Sequence, residues 1–139
     1  MSNTVFHQLY FHVIWSTKDR KPLITEPLAG YVRDLIVEDA KRRGADVIAC
    51  GVMPDHAHLL VSLGPTIAIA TLIGQVKGFV AYEMNKTTGD KVLQWQEGYG
   101  VLTLRKNDVG RVARYVDNQP AIHERRAKES VLELTESPI

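Results

Sequence analysis

The strongest constraint on the fold of this chain is the order in which strand-like and helix-like segments follow one another. Alternating or β-branched apolar residues are typical of strands, and apolar residues three and four apart are typical of helices. These patterns predict strand, helix, strand, strand, helix, strand and helix at residues 5–15, 26–43, 47–53, 56–63, 66–85, 93–104 and 108–119. The segment 93–104 is predicted to hold one or two short strands, interrupted at Glu97-Gly98. The first six elements form a split βαβ arrangement. We therefore expect an α+β, ferredoxin-like (RRM-like) antiparallel sheet with helices packed on it, followed by a C-terminal helix.

Short turn and capping signals predict where these elements begin and end. Gly44 is a typical end signal for the first helix, and Pro54-Asp55 predicts a hairpin turn between the second and third strands. Thr66 is a candidate cap for the second helix, and Asp108 for the last one. Pro120 would stop or kink that last helix.

Composition limits the class of protein. The net charge of the 139 residues is only +1, so any affinity for nucleic acid must come from local clusters of basic residues. Cys50 is the sole cysteine, which excludes an intramolecular disulfide and a Cys-rich zinc site. The N-terminus lacks the pattern of a secretory signal, and no stretch reaches the roughly 18 apolar residues of a membrane span. We expect one cytoplasmic domain over residues 1–139, without a membrane partner and with a polar tail over 121–139.

Two histidines in the third predicted strand are candidate metal ligands. Alternate residues of a strand share a face, so His56 and His58 should point the same way, about 6–7 Å apart. Two imidazoles at that spacing can converge on one metal ion, although the pair taken alone is more typical of ordinary histidines on a half-exposed strand. By ligand softness alone, zinc or nickel would suit two imidazoles better than magnesium.

The last predicted helix carries a candidate nucleophile. Residues four apart stack on one helix face, so Arg111, Tyr115 and Gln119 form a row beside the apolar stripe. The phenol of Tyr115 can attack a phosphodiester if a metal polarises the phosphate. Gln119 can offer its carbonyl oxygen to that metal, and Arg111 can bind a phosphate or stabilise the phenolate. Taken singly, Tyr115 could also be a packing residue, and Gln119 a solvated helix end.

Basic residues cluster near this helix and in the loop after the first strand. Such clusters can hold phosphates, although many charged clusters are only solvated surface. The candidate DNA contacts are Lys18, Arg20, Arg105, Lys106, Arg111 and Arg114.

Four segments together resemble a known family. They are LYFHVIWSTK at residues 9–18, MPDHAHLL at 53–60, WQEGYG at 95–100, and a tyrosine four residues before a glutamine at 115–119. Their combination is similar to the single-tyrosine transposases of the HUH superfamily, of the insertion sequence 200/605 type, including their repeat-associated relatives. The superfamily's name describes a hydrophobic residue between two histidines, here His56-Ala57-His58.

The resemblance implies a mechanism for the candidate residues. Tyr115 would attack single-stranded DNA, leaving a 5′-phosphotyrosine link and a free 3′-hydroxyl. His56, His58 and Gln119 would hold one Mg²⁺ or Mn²⁺ ion. DNA hairpins near the element ends would be recognised largely by shape, and a different 3′-hydroxyl would reverse the reaction and join new strands.

A homodimer with active sites shared between subunits is also expected. A small sheet leaves edge strands that a second copy can cover, and both faces of the segment 5–15 are rich in apolar residues. The short loop Arg105–Asn107 leaves the last helix little chain to hold it to its own sheet. In the family that the chain resembles, the tyrosine helix of one subunit can dock against the histidines of the other. The alternative is a monomer with the helix folded back in cis.

Three other functions are compatible with parts of this pattern. A domesticated relative that nicks hairpins of repeated sequences would use the same residues. A ferredoxin-like module that only binds nucleic acid would need neither metal nor tyrosine, but the aromatic block typical of RNA-binding sheets is missing. A zinc hydrolase would need a further ligand, and Asp55 is expected to face away from His56 if the strand already includes it.

Overall fold

The structure, a computed structural model, describes residues 5–118. The predicted order of elements is confirmed, with a short 3₁₀ turn at Lys18–Arg20 in addition. The strands and helices are β1 (Tyr10–Ser16), α1 (Glu26–Arg42), β2 (Asp46–Met53), β3 (His56–Ser62), α2 (Ile69–Thr88), β4 (Gly100–Leu104) and α3 (Lys106–Asp117). Within the described part of the chain, no helix combines the length and apolar character that crossing a membrane requires.

The four strands form one antiparallel sheet in the order β2-β3-β1-β4. This order is the one that a split βαβ unit produces, so the predicted ferredoxin-like fold is confirmed. The predicted hairpin at Pro54-Asp55 joins β2 and β3. In the central pair of strands, Ile14 lies opposite His58 and Ser16 lies opposite His56.

The two faces of the sheet are covered by different helices. Helices α1 and α2 pack on one face and form the main core with residues such as Val13, Trp15 and Leu59. Helix α3 lies on the other face, where Val112 and Val116 are buried. The residues of β1 from His12 to Ser16 are buried on both faces of the sheet.

The first strand starts later than its apolar pattern predicts, at Tyr10 instead of residue 5. The ladders with β3 and β4 end where Tyr10 pairs with Ser62 and Leu104. Leu9 still accepts one hydrogen bond from the backbone amide of Leu63, but the described residues 5–8 pair with no strand, and the side chain of Phe6 is 86% exposed. Strand propensity without a partner strand was not enough to form a strand. In the segment 93–104 the predicted interruption at Glu97-Gly98 is confirmed, because Trp95 forms an isolated bridge with Thr17 and the strand proper is Gly100–Leu104.

Both predicted helix caps are wrong. Helix α2 begins at Ile69 after Ala68, because the backbone amide of Ile67 bonds to the carbonyl of Gly64 and closes a turn around Thr66. Helix α3 begins at Lys106, so Asp108 lies in its first turn and not at its cap. A carboxylate in the first turn still favours the helix because it interacts with the positive end of the helix dipole. The end signal at Gly44 is confirmed, since this residue adopts a φ of +97° just after α1.

The segment before β4 holds the loop that follows β1. The side-chain oxygen of Gln96 accepts a hydrogen bond from the backbone amide of Asp19 at 2.9 Å. The ammonium of Lys77 in α2 donates to the carbonyls of Gln96 and Gly98, both at 2.9 Å. The indole of Trp95 donates to the carbonyl of Lys77 at 3.0 Å. The loop 18–20 is thus fixed to the main body of the fold. Its residue Arg20 bonds to Asp55, the neighbour of His56.

Candidate active site

Three buried histidines lie on the face of the sheet that α3 covers. His56 and His58 in β3 and His12 in β1 are each at most 1% exposed. The ring centroids of His56 and His58 are 5.1 Å apart, so the prediction that they share a face is confirmed. Buried imidazoles are costly unless their nitrogens form hydrogen bonds, and the partners of these rings therefore define the site.

His56 is held by a carboxylate. Its Nδ1 lies 2.7 Å from Oδ1 of Asp55, and the other oxygen of Asp55 accepts a hydrogen bond from Arg20 at 3.2 Å. Burial raises the pKa of Asp55, but the hydrogen bond with His56 and the attraction of His56 and Arg20 outweigh it, so the pKa lies below its usual value. Asp55 was expected to face away from His56 only if the strand included it, and this condition is not met because Asp55 belongs to the turn and β3 begins at His56.

His58 is held by a third histidine that the sequence patterns did not single out. Its Nδ1 lies 2.8 Å from Nε2 of His12, and the two ring centroids are 5.0 Å apart. His12 precedes Ile14, the residue opposite His58, by two positions and so shares its face of the sheet. That register, once known, is the signal that identifies His12.

Helix α3 brings Tyr115 to the histidines of its own chain. Val112 and Val116 pack against Ala49 and Leu60 of the sheet, and Tyr115 is half-buried beside them. The ring centroid of Tyr115 lies 6.0 Å from that of His58, with the ring planes at 78°. The structure therefore brings together three of the four main candidates, while Gln119 lies outside the described residues.

Of the six predicted DNA-contact residues, one is partly buried and five are exposed. Arg20 is not a freely exposed cation, because its side chain is 24% exposed and paired with Asp55. Two of the others share Asp108, which lies 3.5 Å from the guanidinium of Arg105 and 3.3 Å from that of Arg111. The exposed members of the set are Lys18, Arg105, Lys106, Arg111 and Arg114.

The donor atoms of the histidine pair fit a metal ion. Metal-binding histidines usually bond through their second ring nitrogen to a carboxylate or another acceptor. In both His56 and His58 the nitrogen so engaged is Nδ1, so Nε2 is the nitrogen that would coordinate a metal ion. Among residues 5–118, no cluster of three or more His, Cys, Asp or Glu side chains is placed to hold a metal. A complete site would therefore need at least one further ligand beside the histidine pair.

Cys50 does not belong to this donor set. Burial raises the pKa of its thiol to about 12, with a smaller opposing effect of Arg33 and smaller reinforcing effects of Asp117 and Asp34. The thiolate is the form that binds metals and acts as a nucleophile. Cys50 thus stays protonated and is a core residue.

Comparison with known proteins identifies the family. Residues 5–119 match the family of IS200-like transposases. The chain belongs to this family. The ISDra2 transposase TnpA of Deinococcus radiodurans is 33% identical to it over 121 residues, which are 81% of this chain and 85% of the relative. The predicted resemblance is therefore confirmed, and membership makes the protein a transposase, an enzyme that cleaves DNA and transfers its strands.

Two solved structures have the same fold. A crystal structure assigned to a transposase from Deinococcus radiodurans matches with a TM-score of 0.69 and 26% identity, covering 86% of this chain and 96% of that one. A REP-associated tyrosine transposase bound to a REP hairpin matches with a TM-score of 0.61 and 19% identity, covering 86% of this chain and 70% of that one. The second likeness shows the fold alone. Family membership favours DNA cleavage over the alternative of a module that only binds nucleic acid.

Proposed function

We propose that this transposase cleaves and rejoins single-stranded DNA at hairpin-bearing element ends, through a covalent link between Tyr115 and a 5′-phosphate. The observation that carries the proposal is the position of the Tyr115 ring, 6.0 Å from His58 and on the same face of the sheet as His56. A half-buried phenol beside two candidate metal-binding imidazoles is an arrangement suited to attack on a phosphodiester.

The proposed step exchanges one phosphoester bond for another. The phenol oxygen of Tyr115 bonds to phosphorus, and the bond from phosphorus to the 3′-oxygen breaks. The departing oxygen ends as a 3′-hydroxyl, the phenol proton passes to solvent, and the 5′-phosphate stays on the tyrosine. Attack by the 3′-hydroxyl of another strand reverses these changes and joins new strands. No external energy source is needed because the bond broken and the bond formed are both phosphoesters.

We assign a divalent ion, Mg²⁺ or Mn²⁺, to Nε2 of His56 and of His58, with Gln119 as a third ligand. Such an ion, when bound, neutralises charge on the phosphate and lowers the cost of releasing the 3′-oxygen. The chain's own contribution is to hold the imidazoles in place. Asp55 bonds to Nδ1 of His56 and is in turn paired with Arg20, so the ring has a defined orientation.

The DNA would be held by exposed cations around this site. Arg111 lies one helical turn before Tyr115 and is 68% exposed, which suits it to a phosphate next to the scissile one. Phosphate contacts by Lys18, Arg105, Lys106 and Arg114 would position the strand without reading its sequence. The likeness in fold to a transposase bound to a REP hairpin supports a hairpin as the recognised shape.

We further propose that the working form is a homodimer with active sites shared in trans. Strands β2 and β4 lie at the two edges of the described sheet, where a second copy can add. Only Arg105 separates β4 from α3. A rotation at this single residue would move Tyr115 as part of a rigid helix to the histidines of a partner.

Covalent capture of DNA tests the proposed chemistry. The protein is incubated with Mg²⁺ and single strands derived from the element's hairpin ends, and a protein–DNA band that survives denaturation is expected. Tyr115→Phe removes only the hydroxyl, so this variant should bind the hairpin normally and give no such band. A band of undiminished intensity with the Phe variant would show that another residue is the nucleophile.

A second strand with a free 3′-hydroxyl separates a transposase from a hairpin nickase. Added after cleavage, it should displace the tyrosine and appear in a joined product. Cleavage without joining under these conditions would favour the nickase.

A further inference from the structure

His12 is a buried polar residue to which the proposed chemistry gives no part. It is 0% exposed and lies on the same face of the sheet as His58. Its neighbour along the strand on the same face is Ile14, and its partner across the sheet is Leu60, so the surroundings are largely apolar. A leucine or valine would pack at such a position at lower cost, because a buried imidazole must be compensated by hydrogen bonds. The 2.8 Å contact between His12 Nε2 and His58 Nδ1 is the specific interaction that the histidine provides.

The chemistry of the imidazole ring determines which of the two histidines donates this hydrogen bond when a metal ion is bound. A neutral imidazole has one N–H donor and one nitrogen with a lone pair. If Nε2 of His58 donates its lone pair to a metal ion, the ring proton must be on Nδ1. The Nδ1–H of His58 then donates the hydrogen bond, and Nε2 of His12 accepts it. His12 must in turn carry its own proton on Nδ1.

We propose that His12 is a positioning residue that fixes His58 in the Nδ1–H form and so makes Nε2 of His58 the metal-binding nitrogen. This inference rests on the proposed function, in which His56 and His58 hold a divalent ion. A ring whose proton is already on Nδ1 and whose orientation is already fixed needs neither a proton shift nor a rotation when the ion binds. The Nε2 of His12 itself faces the His58 ring, so in this arrangement His12 is not a third ligand of the same ion.

The two metal-binding histidines are thereby held by different acceptors. His56 bonds to the carboxylate of Asp55, whereas His58 bonds to the neutral ring of His12. The support of His58 can therefore be removed while that of His56 stays intact, which makes the role of His12 separately testable.

Manganese affinity of the full chain, measured by calorimetry without DNA, is the first test. His12→Leu removes the acceptor and should weaken Mn²⁺ binding about 10- to 100-fold. His12→Gln places an amide oxygen near the former Nε2 and should restore most of the affinity. The matched control is Ile14→Val, on the same face of β1 and directly opposite His58, which alters packing without removing a hydrogen bond. It should leave Mn²⁺ affinity unchanged.

A structural role alone would give a different pattern. In that case His12→Leu and His12→Gln would both lower thermal stability, and Mn²⁺ affinity would follow stability and not the presence of an acceptor. Equal Mn²⁺ affinity in wild type and His12→Leu would overturn the proposal. Wild-type protein that binds no Mn²⁺ would overturn the proposed metal site itself, and the inference with it, so the two failures are distinguishable.

Nitrogen NMR of the wild-type chain keeps the proposal testable even if His12→Leu does not fold. Long-range ¹H–¹⁵N spectra of the imidazoles report which ring nitrogen carries the proton. With Mg²⁺ bound, His58 and His12 should both be protonated on Nδ1. A proton on Nε2 of His12, with His58 deprotonated on Nδ1, would reverse the direction of the hydrogen bond and contradict the proposal.

Discussion

At the scale of single residues, two basic side chains of one loop have different surroundings. Lys18 is exposed, whereas Arg20 is paired with Asp55, the carboxylate that holds His56. Asp19 and Arg20 both have positive φ values near +55°, a backbone conformation that residues other than glycine rarely adopt. The loop is therefore held in a costly conformation that places the Arg20 guanidinium against Asp55.

This difference predicts different salt dependence of DNA binding. Lys18→Gln should reduce the slope of log affinity against log salt concentration by about 0.7 to 0.9, the values for one phosphate contact to a single strand and to a duplex. Arg20→Gln should leave the slope unchanged and weaken Mn²⁺ binding instead, because Asp55 loses its partner. Titration of labelled hairpin DNA at several salt concentrations measures the slopes. A reduced slope for Arg20→Gln would show that Arg20 does contact phosphate.

The buried thiol of Cys50 should be unreactive in the folded protein. Its pKa is raised from 9.0 to about 12, chiefly by burial. Iodoacetamide at pH 8 should label it rapidly in urea and only slowly in the native state. Because the folded thiol stays protonated where the unfolded one ionises, its contribution to stability is complete below pH 9 and falls as the pH rises towards 12. Rapid labelling of protein with an unchanged circular dichroism spectrum would contradict this prediction.

The site was predictable from sequence only where local periodicity decides geometry. The shared face of His56 and His58 follows from the two-residue repeat of a strand, and the position of Tyr115 beside an apolar stripe follows from the helical repeat. His12 and Asp55 were missed for a physical reason. The position of His12 beside His58 depends on how β1 is aligned with β3. The position of Asp55 beside His56 depends on which residue starts β3. Neither is a local property of the sequence.

At the scale of elements, the types and order of the predicted segments are correct, while several of their ends are wrong. The ends depend on neighbours in space. β1 begins where its partners begin, and α2 begins where the turn after Gly64 allows. Capping residues such as Thr66 favour a helix start by about 1 kcal/mol, which a competing backbone turn can outweigh.

Helix α3 should undock more easily than the sheet unfolds. Val112 and Val116 are its only fully buried residues within the described range, whereas the main core spans both other helices and the sheet. Elements with few buried apolar contacts open at a lower free energy than the whole domain. Amide hydrogen exchange should therefore be faster throughout α3 than in β1 and β3.

One substitution tests this prediction quantitatively. Val116→Ala removes two buried methyl groups and should destabilise docking by about 2 kcal/mol, which speeds exchange in α3 roughly 30-fold. Val109→Ala, on the same helix but only partly buried, is the matched control and should have a smaller effect. If Val116→Ala accelerates exchange in β3 as much as in α3, the helix does not open separately from the sheet.

At the scale of the whole molecule, the single chain already places one tyrosine beside one pair of histidines. The residues of β1 from His12 to Ser16 are already buried in the single chain, so the apolar character of this strand does not require a second copy. The features that favour a dimer are therefore the edges of the sheet and α3. The helix is held by few buried residues and joined to β4 through Arg105 alone. A helix with such weak docking and so short a connection can exchange between its own sheet and that of a partner.

Complementation between two inactive variants tests whether the tyrosine acts in trans. One variant is Tyr115→Phe, and the other is the double substitution His56→Ala and His58→Ala. With shared sites, a mixed dimer pairs the intact histidines of one subunit with the intact tyrosine of the other. Random exchange makes about half of the dimers mixed, each with one intact site of two, so about a quarter of wild-type cleavage should return.

The cis alternative gives a clearly different result, because each site then takes its tyrosine and histidines from one chain. Every site in the mixture would lack one or the other, and no covalent protein–DNA band should appear. Subunit exchange is verified separately by co-purification of two differently tagged chains, so that a lack of activity cannot be due to a lack of mixing. A monomer by sedimentation with hairpin DNA bound would reject the dimer. A verified mixed dimer without cleavage would reject only the sharing of sites, because dimerisation through a sheet edge requires no movement of α3.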